Sequence, residues 1–271
     1  MTSPNTTDIS LTFPRVLYVQ DAWRGLTSAE QDSVDVVITD PPYNSHVQGN
    51  LRSGSIVGTK SVPKYDLDFN PLNEEQMHWL NHATRMARRW VVSFCALEDF
   101  GRFQDNMQDR QEYVRGGVWY KPNAMGQLTK DRPATSFEGV AILHNTRIKK
   151  RWNGRGSYGI WKCNGTRGKK GRHLNEKPLD LCLKLVALFS ERGEIVFDPF
   201  CGSGAIGEAC VRLGRGYIGL DKNTQWTDTA RARCERAWHE VQQDPSKGMT
   251  DEVALSLCRM NDLSKLEQGG G

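Results

Sequence analysis

Two short runs in this chain carry residue types whose spacing suits chemistry. The first is Val36-Val37-Ile38-Thr39-Asp40-Pro41-Pro42-Tyr43-Asn44, an apolar stretch that ends on an acid, two prolines and an aromatic ring. A carboxylate beside a rigidly held carbonyl can accept both hydrogens of an exocyclic amine, Asp40 taking one and the Pro41 carbonyl the other. Tyr43 then offers a flat face to an unstacked base. Asp-Pro-Pro also makes a plain rigid turn. Its place at the end of an apolar strand, where open α/β sheets bind their ligands, favours the chemical reading.

The second run is Ile195-Val196-Phe197-Asp198-Pro199-Phe200-Cys201-Gly202-Ser203-Gly204-Ala205-Ile206-Gly207, followed by a helical stretch and then Tyr217-Ile218-Gly219-Leu220-Asp221. Strand, glycine turn, helix, strand and terminal acid describe half of a nucleotide-binding unit, in which Asp221 stands where ribose hydroxyls would be held. Gly202, Gly204 and Gly207 spell the dinucleotide fingerprint, so a nicotinamide site and a dehydrogenase are one reading. Asp198 argues against it. An acid at the strand end before the glycines repels a nearby pyrophosphate but suits the ammonium of an amino-acid moiety.

The elements that must position these runs follow from hydrophobic pattern. Seven short apolar runs read as strands: Val16–Val19, Val34–Ile38, Trp90–Ala96, Val114–Tyr120, Gly139–His144, Ile195–Phe197 and Tyr217–Leu220. Glu74–Arg89 and Pro178–Arg192 carry helical stripes between them, with Pro178 suited to a first turn and Gly193 to the stop. Continuous apolar strands separated by helices predict an α/β fold on a parallel sheet covered on both faces.

Charge is concentrated in one place. Asn145–Arg172 holds ten Lys or Arg and no acid, so against a whole-chain balance of +4 the remainder carries −6. Trp152, Tyr158, Trp161 and six glycines are interleaved with those cations. That mixture suits phosphate contacts and close approach to a nucleic acid, although a solvated loop has the same composition. Ser45–Asn70, rich in Gly and Ser, is expected to be a mobile loop whose Arg52, Lys60 and Lys64 could close over a nucleic acid beside Asn44.

Other classes are excluded or disfavoured. No apolar run approaches the roughly 18–20 residues that cross a bilayer. Met1–Thr12 lacks the pattern of a signal peptide, which points to the cytoplasm. The seven cysteines never fall as C-x-x-C, so neither a zinc ribbon nor a disulfide scaffold is suggested. His78 and His82 could share a helix face, but no third ligand stands at matching spacing and no metal is expected.

Asp-Pro-Pro-Tyr followed by Asp-Pro-Phe-Cys-Gly-Ser-Gly, in that order, resembles the amino-methyltransferases of DNA, specifically their β group, in which the catalytic motif precedes the cofactor motif. The similarity covers about Val16 to Ala237. Val19-Gln20-Asp21-Ala22 resembles the family's strand-end acid for the cofactor adenine, with Gln20 where glycine is usual. Val118-Trp119-Tyr120-Lys121-Pro122-Asn123 is similar to a target-side motif. His173-Leu174-Asn175-Glu176-Lys177-Pro178 resembles the H-P-T-Q-K-P segment without its inner Pro-Thr-Gln.

The resemblance implies a seven-stranded, Rossmann-like S-adenosylmethionine-dependent methyltransferase sheet with helices on both faces. It implies a catalytic set of Asp40, Pro41, Pro42 and Tyr43, and a cofactor set of Asp21, Ala22, Lys177, Asp198, Pro199, Phe200, Cys201, Gly202, Ser203, Gly204 and Asp221. The expected DNA contacts are Asn44, Arg52, Lys60, Lys64, Lys149, Lys150, Arg151, Trp152 and Arg155. A methyltransferase domain over 13–243, containing 145–172 as the basic target-recognition insertion, lies between tails at 1–12 and 244–271, the latter helical or flexible. Asp at the first motif position is more usual in adenine-N6 enzymes and Ser in cytosine-N4 enzymes, so N6-methylation of adenine in double-stranded DNA leads. Cytosine N4, RNA as substrate, and a catalytically silent nucleic-acid-binding relative are the alternatives. A homodimer and a companion restriction nuclease are left open as partners.

Overall fold

A computed structural model describes residues 15–18, 32–41, 80–82, 84–106, 111–126, 130–166 and 176–258. Eight strands form one sheet: β1 (Arg15–Tyr18), β2 (Val36–Thr39), β3 (Trp90–Cys95), β4 (Gln111–Tyr120), β5 (Phe137–Asn145), β6 (Ile160–Lys162), β7 (Ile195–Asp198) and β8 (Gly216–Asp221). Their spatial order is β1-β8-β7-β2-β3-β5-β4-β6. Seven coincide with the expected strands. The eighth, β6, lies inside the basic segment and pairs with β4 through Val118, Trp119 and Tyr120.

The central strands are apolar on both faces, because each face packs against helices. Val36, Ile38, Val92 and Phe94 face a cluster built on α2 (Leu179–Phe189), α3 (Ala205–Arg212) and α4 (Thr224–Gln243). Val37, Val91, Cys95 and Leu143 face the other side, with Leu80, Ala87 and Phe103 of α1 (Phe100–Asn106). Alternate residues of one strand therefore fill two cores, as the two-residue period of a strand requires. Leu181, Leu183, Leu185 and Leu188 of α2 are fully enclosed, each contributing roughly 1.5–3 kcal/mol of transfer free energy.

The expectation of an all-parallel sheet is corrected at one point. β1, β8, β7, β2 and β3 run parallel, but β5 is antiparallel to both β3 and β4. β5 follows β4 through residues 121–136, where no helix is described, and apolar content alone does not distinguish the two directions. The helices also end earlier than expected. α2 stops at Phe189, because the Ser190 hydroxyl takes the Val186 carbonyl and Arg215 takes the Ser190 carbonyl. Gly193 serves the following turn at φ +86°. Residues 80–82 and 84–85 are helical, but Ala87 already bridges to Val34 as a strand residue.

The packed body continues past the expected boundary at 243. α5 (Asp251–Ser256) buries Ala254 in the core, Asp251 pairs with Arg215, and the Lys184 ammonium donates to the Leu255 carbonyl. Among the described residues, no helix is long and apolar enough to cross a membrane.

Candidate active site

β2 and β7 are parallel neighbours, with Val36 opposite Val196 and Val37 opposite Phe197. The chain order jumps here from the second strand to the seventh, so the crevice beyond their carboxyl ends is the switch point at which α/β sheets bind ligands. Asp40 follows β2 and Asp198 closes β7. The Thr39 hydroxyl donates to Asp198 Oδ1 at 2.8 Å, fastening the two strand ends together.

Asp198 is buried among apolar groups, and its Oδ1 also accepts the Phe200 amide at 3.1 Å. The Tyr217 hydroxyl donates to Oδ2 at 3.4 Å. The Asp198 pKa is raised to about 7: burial raises it most, the bonds from Thr39 and Phe200 lower it, and the nearby Asp40 and Asp221 charges raise it.

The turn after β7 is shaped by two left-handed glycines. Gly204 stands at φ +79°, where a Cβ would meet the Ala230 backbone at 2.8 Å, so it lets α4 close on the turn. Gly202 stands at φ +47° with open space where a Cβ would be, so a ligand can reach the peptide at that point. Asp221 Oδ2 accepts the Gly202 amide at 3.0 Å and Oδ1 the Asn223 amide at 2.9 Å, which sets the end of β8 against the turn. The third glycine packs rather than binds: a Cβ on Gly207 would lie 2.5 Å from the Tyr217 ring. An open glycine backbone beside a strand-end carboxylate fits the adenosyl and amino-acid parts of S-adenosylmethionine.

On the other side of Asp40 lies a charge network that the sequence does not announce. Lys177 Nζ is 2.5 Å from Asp40 Oδ2 and 3.2 Å from Glu138 Oε2. Glu138 Oε1 meets Lys121 Nζ at 2.8 Å. The Lys177 ammonium lies 4.8 Å from the centre of the Phe94 ring and 5.8 Å from that of Trp119, and the residue is only 7% exposed. Burial alone would lower its pKa, but the Asp40 and Glu138 carboxylates outweigh that and hold it raised. Lys177, expected in the cofactor set, thus bonds Asp40, the acid expected to hold the amine. Its neighbour Glu176 faces the cofactor turn, accepting the Ser203 hydroxyl at 3.0 Å and pairing with Arg233 at 3.1 Å. Behind the turn is a cavity of about 310 Å³ lined by Glu176, Ser203, Glu208, Arg212, Trp226 and Arg233. Its charged groups Glu176, Glu208, Arg212 and Arg233 pair with one another, which makes it a structural ion network.

Asp40, Pro41, Lys177, the turn from Asp198 to Gly204, and Asp221 are therefore brought to one crevice. Asp21, Ala22, Pro42, Tyr43, Asn44, Arg52, Lys60 and Lys64, with the Ser45–Asn70 loop and His78, lie outside the described residues.

The basic segment is divided. β5 starts at the end of the sheet that carries Asp40, where Glu138 meets Lys177, and finishes at Asn145, whose amide bonds to the Arg89 carbonyl just before β3 begins. Asn145 is thus about 23 Å from Glu138 at roughly 3.3 Å per residue, on the opposite edge of the sheet. Lys149, Lys150, Arg151 and Trp152 follow there. Lys150 pairs with Glu112 at the start of β4, Trp90 Nε1 donates to the Arg151 carbonyl at 2.6 Å, and Trp152 stacks on Phe189 at 6.4 Å. Arg155 comes in the next turn, which Asn153 anchors to the Ala187 and Ser190 carbonyls at the end of α2. These five expected DNA contacts therefore stand at the other end of β5 from Glu138 and Asp40. Only after β6 does the chain return to the end that carries Asp40 and Lys177, where Thr166 donates to the Glu176 carbonyl at 2.5 Å.

Thr39, Phe94, Trp119, Lys121, Glu138 and Glu176 join the site without having been singled out as site residues. Thr39, Trp119, Lys121 and Glu176 stood inside quoted motifs; Glu138 and Phe94 carry no local signal and are placed by strand register alone.

Comparison with known proteins agrees with this geometry. A family profile described as DNA methylase, of the N6/N4 type, matches residues 34–232. The type II methyltransferase M.HpaI of Haemophilus parainfluenzae is 26% identical over 249 residues, covering 81% of this chain and 74% of that protein. The type II methyltransferase M2.DpnII of Streptococcus pneumoniae is 26% identical over 243 residues, covering 81% and 89%. Among solved structures, the M1.HpyAVI–SAM complex superposes with a TM-score of 0.62 at 19% identity, covering 81% of this chain and 98% of that one. The cytosine-N4-specific PvuII DNA methyltransferase does so at 0.58 and 12% identity, covering 88% and 98%. These two share the Rossmann-like methyltransferase fold with it. With a match spanning more than two thirds of its length, the chain belongs to the N6/N4 DNA methylase family.

Proposed function

We propose that this DNA methyltransferase transfers a methyl group from S-adenosylmethionine to the N6 amine of an adenine flipped out of double-stranded DNA. The reading is carried by one observation: Asp40 and the Asp198–Gly204 turn stand at the carboxyl ends of two adjacent parallel strands joined by the Thr39–Asp198 bond. When bound, S-adenosylmethionine supplies an electrophilic sulfonium methyl. The chain's part is to hold the accepting nitrogen in line and in the right electronic state.

A nucleobase amine is a poor nucleophile because its lone pair is delocalised into the ring. Asp40 and the Pro41 carbonyl accept its two N–H bonds and so favour a lone pair localised on nitrogen. The nitrogen sheds its proton after the transfer, to Asp40 or to water. Tyr43 stacks on the flipped base and offsets part of an extrusion cost of about a few kcal/mol, with Pro42 fixing the turn between them. Asp221 holds ribose hydroxyls, Asp21 and Ala22 the adenine end, and Pro199, Phe200, Cys201, Gly202, Ser203 and Gly204 pass beside the methionine part, with Asp198 as the nearby negative charge. Asn44, Arg52, Lys60 and Lys64 meet the DNA backbone from the segment after the catalytic motif.

Adenine is preferred over cytosine because the clamp begins with Asp; the likeness to a cytosine-N4-specific structure keeps cytosine N4 as the second reading. Incubation with methyl-labelled S-adenosylmethionine and unmodified DNA, followed by digestion to nucleosides, separates them. Label in N6-methyl-2′-deoxyadenosine supports the proposal, label in N4-methyl-2′-deoxycytidine selects the second reading, and label in neither rejects both.

A further inference from the structure

The dipeptide Glu176–Lys177 lies between the two halves of the site and touches both. Lys177 bonds Asp40 on the catalytic strand, and Glu176 bonds Ser203 in the glycine turn. Pro178 restricts the backbone of Lys177 to extended conformations, and the buried helix α2 begins immediately afterwards. We propose that Lys177 is a positioning residue for methyl transfer, acting through Asp40, and that Glu176 ties its backbone to the turn that receives the cofactor. This rests on the reading of Asp40 as the acceptor of the target amine.

The argument is geometric. An aspartate carboxylate rotates about its χ angles, and an oxygen turned away from the amine contributes nothing to the clamp. The Lys177 ammonium fixes Asp40 Oδ2 at 2.5 Å and is itself held by Glu138 at 3.2 Å and by the Phe94 and Trp119 rings. Lys121 engages the second oxygen of Glu138, so Asp40, Lys177, Glu138 and Lys121 form a row of alternating charges with no net charge. Without the ammonium, the two carboxylates that now share it would face one another and Asp40 would turn. The carboxylates keep Lys177 protonated, so it does not take the proton released from the methylated nitrogen. Its role is to hold an acceptor in place.

The test is a double-mutant cycle of Lys177→Met with Asp40→Asn, read by single-turnover methylation at saturating DNA and by calorimetry with S-adenosylhomocysteine. Lys177→Met should slow turnover about 10–100-fold while the DNA KM and the S-adenosylhomocysteine Kd stay within about threefold, and in the Asp40→Asn background it should cost less than about threefold. Lys177→Arg should recover part of the loss. An undiminished rate, an equal cost in both backgrounds, or a loss seated in S-adenosylhomocysteine affinity overturns the proposal. If Lys177→Met does not fold, Glu138→Gln loosens the ammonium without removing it; its slower turnover should likewise vanish in the Asp40→Asn background, and persistence there overturns the proposal. Failure of the wild type to methylate any base amine rejects the functional reading itself, whereas a methylating wild type with an undiminished Lys177→Met rejects only the positioning role.

Discussion

The Thr39 hydroxyl donates a 2.8 Å hydrogen bond to Asp198 Oδ1, so the residue before Asp40, the proposed catalytic acid, is fastened to the residue that opens the glycine turn. Two motifs 158 positions apart in Asp40 and Asp198 become one rigid unit. In-line transfer depends on placement at the scale of an ångström, and a shared buried bond between strand ends supplies it.

The raised pKa of Asp198 makes part of the stability depend on pH. A carboxyl that binds its proton more tightly when folded than when unfolded adds stability that is whole below about pH 4 and is lost as pH rises to about 7. Urea unfolding between pH 5 and 8 should therefore show wild type losing more stability than Asp198→Asn, by roughly 2–3 kcal/mol at about 1.4 kcal/mol per pH unit. Parallel curves for the two proteins would mean that Asp198 is ionised throughout.

The two left-handed glycines should separate folding from binding. Gly204→Ala forces both a positive φ and a contact with the Ala230 backbone, so it should cost at least about 1–3 kcal/mol in thermal or chemical unfolding. Gly202→Ala meets no atom, so it should be milder in stability and harsher on S-adenosylhomocysteine affinity, because its methyl enters the space left for the ligand. The opposite ranking would place the ligand elsewhere.

Much of this was legible in the sequence because it depends on local signals. Val36–Thr39 and Ile195–Asp198 read as buried strands from their apolar runs, and each motif announces itself by an acid and prolines or glycines at a strand end. The direction of β5 was not legible, since apolar residues facing two cores look alike in parallel and antiparallel strands. That one sign decides which end of the sheet Lys149, Lys150 and Arg151 follow. Lys177, Glu138 and Lys121 come from three separate stretches of chain, and only the register of β4 on β5 and the start of α2 bring them to Asp40.

The salt dependence of DNA binding should follow the observed edge. Neutralising Lys149, Lys150 and Arg151 together should leave the log–log slope nearly unchanged on a short target duplex. Neutralising Lys169 and Lys170, which lie in sequence between Thr166 and Glu176, should lower it by about 0.9 for each phosphate that no longer meets a cation. A drop confined to the first triple would return the DNA to the far edge.

The central claim is that Asp40 holds the target amine beside the cofactor turn, and single-turnover methylation by Asp40→Ala tests it most directly. The account predicts a rate about 10²–10³-fold below wild type with S-adenosylhomocysteine affinity nearly intact. A wild-type rate in that variant, or a loss that resides in S-adenosylhomocysteine binding instead, would contradict it.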